Sequence, residues 1–366
     1  MSLYIHQNKK WPSFIWDIEN VNLALSALHL KQGVLLGQIQ SLGFQLSEDA
    51  FVQTLTEDIL KSSEIEGEHL NKKQVRSSVV RKLGIEKAGL IASNRSIDGV
   101  VEMMLDATQK YSTELTKERL FGWHALLFPD GLSGLHKIKV AKWRDDSKGP
   151  MQVVSGGYRK EKIHFEAPPA KNLNKEMAVF LSWFNGDRKI DPVLKAAVAH
   201  FWFVTIHPFE DGNGRIARAI ADMQLARADG SQRRFYSMSA QIQIDVKKYY
   251  TILELSQKSS LDITKWLIWF FDCLVKSFEL TQINLDIIFK KTHFWDKLAD
   301  QNLNARQRIA INKLLDHFTG KMTTSKWAKI AKCSQDTALR DISDLVHKNI
   351  LRKESGGGRS TSYVLV

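Results

Sequence analysis

His207-Pro-Phe-Glu-Asp-Gly-Asn-Gly-Arg-Ile-Ala-Arg218 is the stretch on which the reading of this chain turns. Upstream of it, Asp191-Pro192 opens a helix, with Asp as N-cap and Pro at the first helical position. That helix is expected to run through Val193–Thr205 and to stop near His207, because Pro208 disfavours helical geometry at the residue before it. Downstream, a second helix is expected from about Gly214 to Asp229, apolar at Ile216, Ile220, Met223 and Leu225, with Gly230 as its stop. The residues between are then a tight loop joining two helices.

The loop has the chemistry of an anion site. Gly212-Asn213-Gly214 opens a helix, where main-chain N–H groups lack partners and point at anything negative. Arg215 and Arg218 near that end work against the helix dipole unless an anion sits there. Asp211 offers a hard oxygen of the kind that holds Mg²⁺ on phosphates. His207 at the other lip suits a general base near neutrality. Singly, each has an ordinary explanation: a packed histidine, a turn, solvated arginines.

Outward from the loop, most of the chain has helical periodicity, over Ile18–Leu42, Glu48–Glu66, Ser96–Tyr111, Lys117–Leu127, Asp245–Gln257 and Ile263–Leu280. The aromatic Trp11–Trp16 stretch is expected to pack on a later helix. Met151–Phe165 breaks the pattern, with two β-prone runs around Gly156-Gly157 that read as a hairpin. From Asn304 the chain changes character. Helices at Ala305–Phe318, Thr324–Ala331 and Gln335–His347, a Ser355–Gly358 turn and strands at Leu351–Lys353 and Thr361–Val366 resemble a winged helix-turn-helix with a two-stranded wing.

Taken together, residues 207–218 resemble the Fic family motif: His-Pro-Phe, two positions of which the second is acidic, Gly-Asn-Gly-Arg, two more, then Arg. Every fixed position matches. The resemblance implies a mainly α Fic-type helical bundle with a β-hairpin flap, divided as an N-terminal helical domain (1–95), a Fic core (96–285) and a winged helix (300–366). It implies a protein adenylyltransferase that moves AMP from ATP, with Mg²⁺, onto a Ser, Thr or Tyr hydroxyl of a target protein or of itself. His207 would deprotonate the hydroxyl, Phe209 would be buried, and Asp211 would hold the metal. Gly212, Asn213, Gly214 and Arg215 would cradle the phosphates, and Arg218 would bind the γ-phosphate. Val153–Ser155 would be the flap that pins the target by strand addition, with Val154 and Ser155 against ATP. Tyr249 and Gln257 would line the adenine pocket.

Ser62-Ser-Glu-Ile-Glu66-Gly67 matches the Fic inhibitory pattern, Ser or Thr, three residues, Glu, then Gly or Asn. Ser62 and Glu66 are four apart, on one face of a helix that Gly67 ends. In relatives this Glu pairs with the last arginine of the motif, here Arg218, and keeps the γ-phosphate out. Related readings are removal of AMP, transfer of another donor group, and an ATP-sensing DNA-binding regulator. For the last, Gln335, Thr337, Arg340 and Asp341 would face the groove. A metal hydrolase using His200, His207 and Asp211 is disfavoured, because Pro208 interrupts the helix and no third strong nitrogen or sulfur ligand is near.

Composition sets the bounds. The formal net charge is +12, and residues 304–366 hold 12 Lys/Arg against 5 Asp/Glu, a surplus of 12 − 5 = +7. A basic terminal domain raises the prospect of DNA contact. Cys273 and Cys333 form no CxxC pair, which suits a reducing cytoplasm. No apolar run is long enough for a membrane span, and the start lacks the pattern of a secretion signal. A homodimer is left open.

Overall fold

The computed structural model describes residues 4–40, 44–156, 162–186, 189–315, 318, 320–354 and 361–366. It divides into two units, residues 1–280 and 281–366. The first is helical throughout apart from two short hairpins. Its elements are α1 (Ile18–Gln40), α2 (Phe44–Ile65), α3 (Lys72–Lys82), α4 (Arg95–Gln109), α5 (Lys117–Leu127), β1 (Leu132–Ser133), β2 (His136–Lys137), β3 (Gln152–Ser155), β4 (Lys162–Glu166), α6 (Leu173–Asn185), α7 (Pro192–Ile206), α8 (Asn213–Asp229), α9 (Met238–Ile244), α10 (Val246–Gln257) and α11 (Thr264–Lys297), whose residues after Leu280 belong to the second unit.

The centre of this unit is the pair α7 and α8. Asp191 caps α7 as expected, its Oδ1 accepting from the N–H groups of Val193 (2.8 Å) and Leu194 (3.0 Å). Residues 193–206 of α7 are all buried, and a helix apolar on every side belongs inside a domain. α4 and α5 pack on α8, and α2 packs along α9 and α3. The opening aromatic segment lands on α7: Phe14 meets Phe201 and Trp202 edge-on at 5.7 Å, with Trp11 at 6.4 Å from Trp202. On the other flank, Trp266 of α11 donates to the Ala197 carbonyl at 2.8 Å.

Several boundaries differ from expectation. α2 begins at Phe44, four residues early, and α11 continues seventeen residues past Leu280. The expected helix over Asp245–Gln257 is present as α10, and a further short helix with no counterpart in the expectation, α9, ends just before it at Ile244. α3 and α6 have no counterpart in the sequence reading. The hairpin is present as antiparallel β3 and β4, pairing Val153 with Phe165 and Val154 with Ile163, with an irregularity between. Gly157 of its expected turn, Leu42 of the first helix and the Ser355–Gly358 turn lie outside the described residues.

The second unit holds α12 (Ala305–Leu315), β5 (Met322–Thr323), α13 (Thr324–Ala331), α14 (Gln335–His347), β6 (Leu351–Lys353) and β7 (Ser362–Leu365). Its sheet has three antiparallel strands in the order β5-β7-β6, not two, because Met322 pairs with Tyr363 ahead of α13. Trp327, Ile311, Ile342, Leu345 and Tyr363 fill its core. Asp341 does not face outward as expected. It is buried, receives both Nε and Nη2 of Arg306 (2.9 and 3.0 Å) and accepts from Asn304 (2.9 Å).

Candidate active site

The 207–218 loop is held by its own residues and by a ring of distant ones. α7 ends at His207, which takes a left-handed conformation (φ 51°), a backbone state that costs a non-glycine residue energy. Arg144 offsets that cost. Buried beneath the loop, it donates from Nε to the His207 carbonyl (2.7 Å) and from Nη2 to the Pro168 carbonyl (2.6 Å), and pairs with Asp146 (3.0 Å). Its main-chain N–H binds the Pro208 carbonyl (2.9 Å). Phe209 is fully buried, stacked on His124 at 4.2 Å and flanked by Trp143 at 5.0 Å.

Asn213 closes the loop. Its side-chain amide accepts from the Phe209 N–H and donates to the Phe209 carbonyl, both at 2.9 Å. The side chain is thereby committed to holding the turn, and only the main chain of Asn213 faces an incoming anion. His124 accepts at Nδ1 from the Ala141 N–H (3.1 Å), so its Nε2 carries the proton given to the Asp211 carbonyl (3.2 Å). Burial pushes its pKa down to about 4.

His207 presents a defined face. Its Nδ1 lies 3.2 Å from the Val204 carbonyl, an acceptor, so Nδ1 holds the proton and Nε2 keeps its lone pair. Burial lowers its pKa to about 4, with Arg144 pushing the same way and Glu66 and Asp211 opposing. The ring is neutral at pH 7. Asp211 is half-buried, its Oδ1 taking the Gly212 N–H (2.6 Å) and its Oδ2 the Ser133 hydroxyl.

Across the loop, Arg215 and Arg218 of α8 are buried. The end of α2 comes to meet Arg218: Ser62 Oγ accepts from Nε (2.9 Å), the Ser62 carbonyl from Nη2 (2.7 Å), and Glu66 pairs with Nη2 at 2.8 Å. The same carboxylate covers the start of α8, since a Cβ added at Gly214 would stand 2.1 Å from Glu66 Oε1. Arg215 lies over the Phe128 ring at 5.1 Å and pairs with Glu68 at 2.6 Å. Nε of Arg215 and Nη1 of Arg218 are buried without a hydrogen-bond acceptor. One turn before Ser62, Asp58 accepts from the Ser237 hydroxyl (2.5 Å) and the Ser239 N–H (3.3 Å), tying α2 to the start of α9.

The expected pocket residues divide. Tyr249 is enclosed, its hydroxyl 3.0 Å from His200 Nε2 and its ring against Tyr250, Trp266 and Trp269. Gln257 is also buried and donates to Thr205 at 3.3 Å. Tyr250 is the exposed ring of that helix, its hydroxyl on the Ile65 carbonyl (3.1 Å). Val154 and Ser155 are exposed on β3, and His164 bridges Ser155 (2.5 Å) to Glu254 (2.6 Å). Arg144, His124, Trp143, Ser133 and Glu68 belong to the site and were not found from sequence. Only the Trp143-Arg144 pair, an aromatic beside a cation in an otherwise polar segment, gave any signal. No cluster of three metal-ligating side chains occurs among the described residues, so His200, His207 and Asp211 do not assemble.

Residues 114–225 match the Fic/DOC family, and residues 4–85 match a domain of unknown function, DUF4172. The chain is 28% identical over 242 residues to a protein adenylyltransferase Fic of Culex quinquefasciatus, covering 64% of this chain and 42% of that protein. It is 27% identical over 316 residues to the protein of the same name in Drosophila melanogaster, covering 82% and 56%. The chain thus spans about half the length of the curated relatives it matches. Among solved structures, a Fic family protein from Desulfovibrio desulfuricans superposes with a TM-score of 0.51 at 19% identity, covering 94% of this chain and 96% of that one. A Fic domain containing signaling protein from Bacteroides thetaiotaomicron gives 0.50 at 20% identity, covering 72% and 96%. These two likenesses concern the fold.

Proposed function

Starting from a chain that carries a Fic/DOC family domain, we propose that it transfers AMP from ATP to a hydroxyl side chain of a protein, and that Glu66 restrains it. The observation that supports this most is the pairing of two features across one loop. His207 offers a neutral imidazole with a free Nε2, and the N-terminus of α8 offers N–H groups with Arg215 and Arg218 beside them.

The chemistry follows. A Ser, Thr or Tyr hydroxyl approaches Nε2 of His207, which takes its proton as the oxygen attacks the α-phosphorus. The bond from that phosphorus to the β-phosphate bridging oxygen breaks, and pyrophosphate leaves. Little covalent work falls to the protein, so positioning and charge stabilisation carry the rate. A well-placed base adds roughly 10²–10⁴-fold. The N–H groups at the start of α8 and Arg215 bind the α- and β-phosphates, and Arg218 takes the γ-phosphate. Asp211 suits Mg²⁺, which takes one or two carboxylates and completes its shell with phosphate and water. Bound there, the metal would neutralise charge on the leaving phosphates.

With Glu66 and Ser62 on Arg218, the γ-phosphate is denied its partner. The test is incubation of the full chain with α-labelled ATP and Mg²⁺. Label on protein should rise at least tenfold in Glu66→Gly and vanish in His207→Ala. Equal labelling of Glu66→Gly and parent sinks the restraint, and label that survives His207→Ala sinks the assignment of the base.

A further inference from the structure

The turn that ends α2 carries two carboxylates, and both are in use. Gly67 takes a left-handed conformation (φ 82°) that side chains other than glycine resist. Around it the chain folds back: the N–H groups of Glu66 and Glu68 both reach the Ser63 carbonyl, and that of Gly67 reaches Glu64, each at 3.0 Å. This is a glycine-centred helix cap. It points Glu66 and Glu68, two residues apart, at arginines three residues apart on α8. Glu66 meets Arg218 at 2.8 Å and Glu68 meets Arg215 at 2.6 Å.

The second pair has the features of a competitor. Arg215 is 3% exposed while Glu68 is 45% exposed, so the acid reaches in from the rim to a guanidinium already desolvated. Arg215 Nε has no acceptor, and Arg218 Nη1 has none either. Two buried cations each keep a donor free beside a borrowed carboxylate, as expected where the natural occupant is a larger anion with more oxygens. Glu66 Oε1 also lies where it would touch a side chain at Gly214, on the main-chain anion site itself.

We propose that Glu68 is a second prong of the restraint, which occupies Arg215 and contests the α- and β-phosphates, as Glu66 contests the γ-phosphate. This rests on the adenylyl-transfer reading above. The cap at Gly67 then presents a mimic of a polyphosphate chain, one carboxylate for each arginine. A nucleoside diphosphate separates this from a single-prong restraint. ADP lacks the γ-phosphate and has no need of Arg218, so a brake made of Glu66 alone leaves ADP affinity indifferent to the residue at position 68. A brake that includes Glu68 weakens ADP through Arg215, and removing Glu68 restores that affinity.

The experiment is equilibrium binding of ADP and ATP, with Mg²⁺, to the parent chain, Glu68→Gln, Glu68→Ser and Glu66→Gly/Glu68→Gln, with a thermal melt of each. Removing the competing pair should tighten ADP about tenfold in both single variants, the scale of one charge-assisted contact. The double variant should transfer AMP with a kcat/KM about tenfold above Glu66→Gly alone. ADP affinity unchanged or weakened in both folded Glu68 variants overturns the proposal, since Glu68 would then be idle or would hold Arg215 in its working pose. If no variant binds either nucleotide, the adenylyl-transfer reading falls with it.

Discussion

The side-chain amide of Asn213 grips the peptide of Phe209 from both sides, taking its N–H and giving to its carbonyl, each at 2.9 Å. A residue whose type suggests phosphate binding is thus the buckle of the loop. Asn213→Ala leaves two buried main-chain groups unpaired, which costs about 2–4 kcal/mol. A drop of several degrees in melting temperature is expected, together with loss of AMP transfer. Asn213→Asp keeps the acceptor and loses the donor, so it should fall between. A melting point unchanged in Asn213→Ala would show that the clamp contributes nothing.

Arg144 is the counterpart beneath the loop. Its fork satisfies the carbonyls of His207 and Pro168 at once and pairs with Asp146. Lysine cannot make that planar set of contacts. Arg144→Ala should destabilise by about 3 kcal/mol, because two buried carbonyls lose their donors and Asp146 its partner. Arg144→Lys should recover less than half of the lost transfer rate. Full activity in Arg144→Lys would mean that charge alone, without the fork, sets the His207 backbone.

Acid should weaken the first unit through three histidines held neutral, His124 and His200 buried and His207 partly so. Burial lowers His124 and His207 to about 4 and His200 to about 3, against 6.5 in the unfolded chain. As pH falls from 6.5 toward 4, the unfolded chain takes up protons that the native one refuses. The stability they contribute is therefore complete above about pH 6.5 and is lost below it, on the order of 1 kcal/mol per pH unit for each group. Asp222 acts the other way. Burial lifts it to about 7 against the pull of Arg234, so its contribution fades as pH rises toward and through 7. Denaturant melts between pH 4.5 and 7.5, comparing parent with His200→Gln, isolate one histidine. The variant should show the shallower pH dependence, and parallel curves would contradict the buried-neutral assignment.

In the second unit, Asp341 gathers Arg306 and Asn304. Asp341→Ala should destabilise residues 281–366 by about 1–3 kcal/mol, since the surviving partners lose a charge-assisted acceptor. Amide exchange resolved by peptide should speed up across α12 and α14 while α7 and α8 stay protected. No change in α12 would place the anchor elsewhere.

The central loop was legible because its information is local. Asp191-Pro192, Pro208 and Gly230 punctuate α7 and α8, and the spacing of His207, Asp211, Arg215 and Arg218 lies within twelve residues. The match of Ser62, Glu66 and Gly67 was legible as a pattern, and its contact with Arg218 became a distance only in three dimensions. What the sequence hid comes from far along the chain. Arg144 lies 63 residues from the carbonyl it holds at His207 and His124 lies 87 from that of Asp211. Glu68 lies 147 from Arg215. Beyond the aromatic Trp143 beside it, nothing local to Arg144 in its irregular segment reports such a partner. Asp341 misled for a related reason, since its helical position suggested an outward face and Arg306 drew it inward. α11 outran its expected end because no proline or glycine stops it after Leu280, and polar residues such as Asp286 and Lys290 sit exposed on it without breaking the helix.

α2 is two different kinds of helix in succession. Phe51, Val52, Leu55, Ile59 and Leu60 bury its first part, while its last turn buries one apolar residue, Ile65, and is otherwise held through polar contacts by Ser62 and by Glu66 and the glycine cap that follow it. The apolar part sheds its neighbours only at the full cost of rehydrating them. Its polar contacts exchange partners with water or with phosphate at little net change. On the proposed restraint, switching the site on would call for those contacts to open locally, in microseconds or longer, with no rearrangement of the fold behind them. A nucleotide would then meet a latch, and the level of activity would be set by the fraction of time that latch is closed.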